Sequence, residues 1–417
     1  MPAELMTAND MPMLAALLQA TLEARYKPGC ALVAPLWDGP QVRVFSALLK
    51  FGVRPADVIG MADALALTAK AESCRVSQDA GQMLLEIAKP PEARQVLRAE
   101  RLEALAMPAR TAVPLGVSTG GKVLALDLAD ERQAHVLFGG ATGSGKSTVL
   151  RWLLYRLLAQ NPPSELRLLA ADPKVAHLRE GLRPFAYVPH LLHPIQSDAR
   201  EVLRLLTWLL MELKRRELTG ATTPRILLVV EEVKHYVDQS RDIQTALAQI
   251  LQIGRGWGVN VWATTQHPGV KAIGEGLSNF LVTLLGRVAR EQQAYGAAGR
   301  AGSEAATLLG RGDMLYLGAG ATVRFQAPYA DGRQWVKIKR ALPGDLSAEL
   351  PRGDLLATAP VGKGGKAGRV ITPADIDALR PAVLAGRGAE YVRQALGIGT
   401  PRATAIYQQI IEEGGRR

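Results

Sequence analysis

The sequence is poor in cysteine, in charge and in long apolar runs. Cys30 and Cys74 are the only two cysteines in 417 residues and form no Cys-x-x-Cys pair, so neither a disulfide framework nor a zinc-binding pattern is present. No apolar stretch approaches the ~20 residues of a membrane-spanning helix, and the N-terminus lacks the basic region and apolar block of a secretory signal. A cytoplasmic protein with no membrane partner is the expectation. Charged residues reach only 21% against 48% hydrophobic, which places the chain with globular and not disordered proteins. Its length suffices for two or three domains with cores of their own. The net charge of +11 favours a polyanion as partner.

The most informative stretch reads HVLFGGATGSGKSTVLRWLLYRLL, from His135 to Leu158. It fills every fixed position of G-x-x-x-x-G-K-[ST], between an apolar run that reads as a buried strand and an apolar-periodic helix. Glycines let successive backbone N–H groups curl around one anion at a helix N-terminus, which is what a nucleotide's phosphates need. Gly140, Ala141, Thr142, Gly143, Ser144, Gly145, Lys146, Ser147 and Thr148 are therefore the expected ATP-binding residues. Lys146 is expected on the β- and γ-phosphates, Ser147 on Mg²⁺ and Thr148 near an α-phosphate.

An amphipathic helix is expected over 11–26 within an N-terminal segment, 1–28. An α/β module follows over 29–111, with strands at 31–35, 42–45, 75–76 and 83–87, a helix at 55–67 and a charged helical connector from Pro90-Pro91 to about Leu105. Over 112–342, two strands joined by a turn at 118–121 precede the glycine loop. Apolar strands then end in Asp172-Pro173-Lys174, in Glu231-Glu232 and in Gln266-His267-Pro268, with helices at 198–218 and 243–253 between them. Alternating strands and helices with polar residues at strand ends predict a parallel sheet whose site lies along its C-terminal edge. A Pro/Gly/Lys-rich linker over 343–369 leads to 370–417. That last segment reads as a helix-turn-helix with Arg402 directed at DNA from its second helix.

Two acids directly after a buried strand are costly unless they face a cation. Glu231 is accordingly expected on the metal and Glu232 on the attacking water, with Gln266 sensing the γ-phosphate. Arg255, in Gly254-Arg255-Gly256, falls on a different edge and is not placed to reach a phosphate of its own subunit.

Taken in order, VPLGVSTGGKVLALDLADERQAHVLFGGATGSGKST, AADPKVAHL with PHLLHPI, ILLVVEEV, GRGWGVNVWATTQHP and LLGRGDMLYLG closely resemble the motor of FtsK/SpoIIIE DNA translocases over about 29–340. The resemblance implies an α/β fold, with a RecA-like P-loop ATPase core, a small α/β subdomain before it and a C-terminal helix-turn-helix. It also implies a hexameric ring driving double-stranded DNA with ATP, and it puts Arg255 on the arginine finger that reaches the neighbour's nucleotide. Lys146, Glu232, Gln266 and Arg255 are then the catalytic set, and His267, Lys271 and Arg402 the DNA contacts. Departures are Glu231 where the family usually has Asp, and His267 where it usually has Arg. The membrane-spanning N-terminal region of the cell-division members is expected to be absent, and the terminal winged helix shortened. Two functions follow: a DNA translocase, or an ATP-dependent DNA-binding coupling or recruitment protein of a conjugative or mobile element that hands DNA or a relaxase to another machine without processive movement, with a recombinase, relaxase or other DNA-processing protein as partner.

Overall fold

A computed structural model of the protein describes residues 11–330, except 51, 80, 176–180, 267–278, 289–303 and 319–320, together with scattered positions between 376 and 411. The first part is a four-stranded antiparallel sheet of β1 (Ala31–Asp38), β2 (Val42–Leu49), β3 (Cys74–Asp79) and β4 (Gln82–Ala88), in the order β1-β2-β4-β3. Helix α1 (Met11–Arg25) repeats Leu14, Leu18 and Leu22 every fourth residue and packs this stripe with Phe45, Val58, Leu65 and Leu85. The single helix expected over 55–67 is two, α2 (Pro55–Ile59) and α3 (Ala62–Thr68). Gly60, a weak helix former, ends the first, and the break lets Val58 and Leu65 enter one core. The connector expected as a helix from Pro90-Pro91 to about Leu105 is instead a short 3₁₀ turn, an extended piece and the one-turn α4 (Glu100–Glu103). The extended piece is held to the next sheet, with Tyr329 N–H donating to Leu97 O at 2.8 Å and Ala99 N–H to Tyr329 O at 3.1 Å.

That second sheet has nine strands: β5 (Ala112–Ser118), β6 (Val123–Asp127), β7 (His135–Gly139), β8 (Leu166–Ala171), β9 (Arg225–Val230), β10 (Val259–Thr265), β11 (Val282–Gly286), β12 (Asp313–Gly318) and β13 (Ala321–Gln326). Their order is β6-β5-β13-β12-β11-β7-β10-β9-β8. The expected parallel sheet is realised in only five strands, β11-β7-β10-β9-β8; β12, β13, β5 and β6 continue it antiparallel. A short turn joins β5 to β6 and only two residues separate β12 from β13, and connections that short reverse the chain, whereas parallel neighbours need a crossover.

Helices α5 (Lys146–Gln160), α6 (Ala199–Thr219), α7 (Val233–Val237) and α8 (Arg241–Ile253) cover the parallel half. The strand period of two divides the core: Val136 and Phe138 of β7 face the layer holding Leu153 and Leu157 of α5, while Leu137 faces Leu209 of α6 and Leu247 of α8. Toward the C-terminus the described positions apart from Gly388 are helical, and Leu379, Val383, Val392, Ala403, Ile406 and Ile410 pack together. The expected linker and the turn at 397–399 lie outside the described residues.

The two sheets are joined by buried charge. Glu86 of β4, 1% exposed, accepts from Arg75 Nη1 at 2.6 Å, Arg324 Nη1 at 3.1 Å and Thr119 Oγ1 at 3.1 Å. Arg324 of β13 in turn makes a two-pronged pair with Asp313 of β12, at 2.8 and 2.7 Å. Removing one member of such a set leaves the others buried without compensation. Glu86→Ala is expected to destabilise the fold by about 3–5 kcal/mol, read as a lowered urea midpoint; an unchanged midpoint would show that the network adds nothing.

Candidate active site

The glycine loop leaves the sheet at the end of β7 and turns back into α5. Gly140 and Gly145 have φ of +139° and +108°, where side chains are strained, and neither has room for one. A Cβ on Gly140 would lie 3.1 Å from Gly286 O, and one on Gly145 would lie 2.7 Å from Gly312 N. The loop is thus wedged between the end of β11 and the start of β12, and Gly312 N–H donates to Ser144 O at 3.0 Å. Its backbone is presented at the N-terminus of α5, where partial positive charge favours an anion.

Lys146 is 7% exposed, and its ammonium donates to Gly140 O at 2.6 Å and Ala141 O at 3.0 Å. Burial pushes it below the ordinary lysine range, against the pull of Glu232 and Glu231. Ser147 and Thr148 follow on the first turn of α5 and line the same cleft, of about 690 Å³, together with Glu231, Glu232 and Gln266.

The acids stand where β9 ends. Glu231, 5% exposed, accepts from Thr264 Oγ1 at 2.6 Å on one oxygen. Its other oxygen, Oε1, is buried with no hydrogen-bonding partner among the described residues. Burial raises its pKa, Asp172 and Glu232 add to the rise, and the Thr264 hydroxyl opposes it. Glu232 adopts φ +50°, uncommon for a residue with a side chain, and its N–H donates to Thr264 Oγ1 at 2.9 Å. Its carboxylate accepts from Gln266 Nε2 at 2.7 Å, and Thr142 Oγ1 donates to Gln266 Oε1 at 3.1 Å. The glycine loop, the Gln266 amide and the second acid are therefore one hydrogen-bonded chain.

The loop, Glu231, Glu232 and Gln266 thus line one cleft. Arg255 does not join them: it is exposed in the 3₁₀ turn Gly254–Trp257, before β10 begins, whereas Gln266 follows its end. Seven residues at about 3.3 Å each separate the two by roughly 20 Å. His267, Lys271 and Arg402 lie outside the described residues. The cleft also holds side chains that sequence reading did not assign. Asp172 and Lys174 follow β8, and Val96, Arg311, Pro328 and Tyr329 complete the wall. Asp172 and Lys174 were visible as one more polar end to an apolar strand. Arg311, between two positive-φ glycines, carried only the signal of a tight turn.

No group of three or more His, Cys, Asp or Glu among the described residues is arranged to hold a metal alone. The donors nonetheless suit Mg²⁺ that is also bound by phosphate: the unpartnered Glu231 Oε1 is a hard anionic oxygen, and the Ser147 hydroxyl lines the same cleft.

A phosphate-binding loop at the end of one parallel strand, with acids at the end of a nearby one, defines a P-loop ATPase of RecA-like α/β architecture. The sequence model of the FtsK/SpoIIIE family matches residues 96–270 of the chain. Among curated relatives, DNA translocase SftA of Bacillus subtilis is 28% identical over 337 residues, covering 73% of this chain and 34% of that protein. DNA translocase FtsK of Brucella melitensis is 26% identical over 443 residues, covering 90% and 53%. The chain thus spans about a third to a half of the length of these relatives. The solved pCW3 conjugation coupling protein TcpA, in its monomer form with ATPγS, has a similar fold, with TM-score 0.53 and 18% identity over 79% of this chain and 99% of that one. EssC ATPases 2 and 3 from Geobacillus thermodenitrificans give a TM-score of 0.51 at 16% identity, over 61% of this chain and 50% of that one. No helix among the described residues is long and apolar enough to cross a membrane.

The raised pKa of Glu231 has a measurable consequence for stability. The folded protein holds this proton above the pH at which the unfolded chain releases it, so ionisation opposes folding. The stability linked to Glu231 is complete below the unfolded value near 4.5 and is lost as pH rises through the raised folded value. Glu231→Gln, in chelator and without nucleotide, should therefore raise the Tm at about pH 7–8 and have little effect near pH 4. A lower Tm at neutral pH would show that the carboxylate is stabilised by its surroundings after all.

Proposed function

We propose that the protein is an ATPase that drives double-stranded DNA through a ring of its own copies, expected to be a hexamer, in the cytoplasm. The observation that carries this reading is the convergence of Lys146, Ser147, Glu231, Glu232 and Gln266 in one cleft while Arg255 stands exposed at the far end of β10. Lys146 leaves its two loop carbonyls for the β- and γ-phosphates, and the backbone N–H groups of 140–148 hold the rest of the chain of phosphates. Bound Mg²⁺, held by Ser147 and Glu231, would neutralise charge on the phosphates. Glu232 orients the attacking water and takes its proton, kept in place by the Gln266 amide. Gln266, tied also to Thr142, registers the γ-phosphate and passes its loss to His267 and Lys271, which contact DNA. Arg255 stabilises transition-state charge in the neighbour's site.

The division into residues 1–28, 29–111, 112–342, 343–369 and 370–417 is part of this proposal. The last segment, with Arg402, serves as a helix-turn-helix for loading or recruitment, and the motor grips DNA through phosphates, consistent with the chain's net charge of +11. Relatives named DNA translocases support movement of DNA. The second reading is a coupling protein that binds DNA with ATP and hands DNA or a relaxase to another machine without processive travel.

Lys146→Ala should abolish ATP binding, whereas Glu232→Gln should keep binding and lose turnover by about 10²-fold or more. Near-normal hydrolysis by Glu232→Gln would remove that residue from the chemistry. In triplex displacement, the unmodified protein should strip a third strand at a rate that follows hydrolysis. Hydrolysis with no displacement would favour the coupling reading.

A further inference from the structure

Helix α6 ends beside the turn that carries Arg255, and the two are linked by a buried cation. Arg216, in the last turn of α6, is 1% exposed, unlike its neighbour Arg215, whose side chain is 54% exposed. A guanidinium is taken out of water at considerable cost unless its donors are satisfied. Nε of Arg216 donates to Glu212 Oε1 at 2.8 Å, and Nη2 donates to Pro224 O at 2.7 Å. Nη1 donates to Trp257 O at 2.8 Å, with a longer contact to Thr222 O at 3.4 Å. One side chain thus fastens α6, the loop leading into β9 and the turn Gly254–Trp257 to each other.

The turn has little freedom around this anchor. Gly258, which follows it, has φ +69°, and a Cβ there would lie 2.1 Å from Thr222 O and 3.4 Å from Arg216 Nη1. Gly254 closes the other end, where a Cβ would lie 3.0 Å from Val259 O. Arg255 is exposed between them, so the direction in which it leaves the subunit is set by the backbone of the turn.

We infer that Arg216, oriented by Glu212, is a positioning residue that fixes the turn presenting Arg255 to the neighbouring subunit. The inference rests on the proposed trans role of Arg255. A group lent to another subunit's site has to be held by its own subunit, and a displacement of about 1 Å can cost on the order of 10²-fold in rate. Arginine suits the task because its planar fork reaches several acceptors at once, which a lysine ammonium on one stem does not. A helix-end cation serving only the fold would also satisfy local carbonyls, but it would act on its own subunit and not on the neighbour's turnover.

The test uses the full chain. Arg216→Lys should bind ATP with a Kd within about twofold of the unmodified protein and lower kcat by about 10-fold or more. Mixed with Lys146→Ala, which carries an intact Arg216 and Arg255, it should recover part of its turnover, because the intact turn then serves the variant's own site. Arg255→Ala mixed in the same way is the reference. If Arg255→Ala recovers and Arg216→Lys does not, or if Arg216→Lys has normal kcat, the positioning role is overturned. If Arg255→Ala itself fails to recover in verified mixed oligomers, the trans reading falls and takes this inference with it. Glu212→Gln, which keeps the arginine and the packing, should show the same split between preserved Kd and lowered kcat, and it decides the matter should Arg216→Lys not fold. Normal kcat in Glu212→Gln would then overturn the role.

Discussion

One buried hydroxyl sets the geometry on which the cleft depends. Successive residues of a strand point to opposite faces, so two adjacent acids at the end of β9 would ordinarily diverge. Thr264 brings them to one side: it donates to Glu231 Oε2 and accepts from the N–H of Glu232, and the second bond holds Glu232 at φ +50°. A left-handed conformation at a residue with a side chain costs on the order of 1–3 kcal/mol and persists only where its surroundings enforce it. Here the enforcing group is fully buried in β10, whose own pairing to β9 and β7 leaves it no alternative position.

The parts of this arrangement that rest on local pattern were legible in the sequence. The glycine loop, its strand and helix, and the three polar strand ends follow from spacing and hydrophobic period. Thr264 was not legible, since a threonine within an apolar strand reads as ordinary β-propensity, and its importance lies in a neighbour 33 residues away in sequence. The antiparallel half of the large sheet was missed for a related reason. Its strands are paired by contacts such as Phe325 with Ser118, which no window of neighbouring residues contains. Arg216 carries no local signal that sets it apart from the other charges of its helix. Only the approach of Trp257, 41 residues on, turns it inward.

The antiparallel extension matters to the cleft because it returns β12 to the edge where the parallel strands end. Gly312, just before β12, closes on the glycine loop through Ser144 O, and the next residue, Asp313, is held by Arg324. Arg324 in turn holds Glu86 of the four-stranded sheet. The phosphate-binding loop and the smaller sheet are therefore connected through two adjacent residues, Gly312 and Asp313, by hydrogen bonds and ion pairs that are mostly buried. In a dry environment such pairs are directional and intolerant of displacement.

Burial of charge recurs at both ends of β10, with different partners. At its C-terminal end Glu231 is left with an unpartnered oxygen, which suits a site that is completed by a cation. At its N-terminal end each nitrogen of Arg216 has an acceptor in its own chain, which suits a support that has to be rigid before anything binds. Burial raises the pKa of the acid, so that its ionisation weakens the fold, whereas the bonds made by the arginine stabilise the turn beside it. The contrast is the one expected from the roles proposed for the two ends. A residue that receives a ligand has to keep coordination open at some cost in stability, and a residue that supports another must leave nothing open.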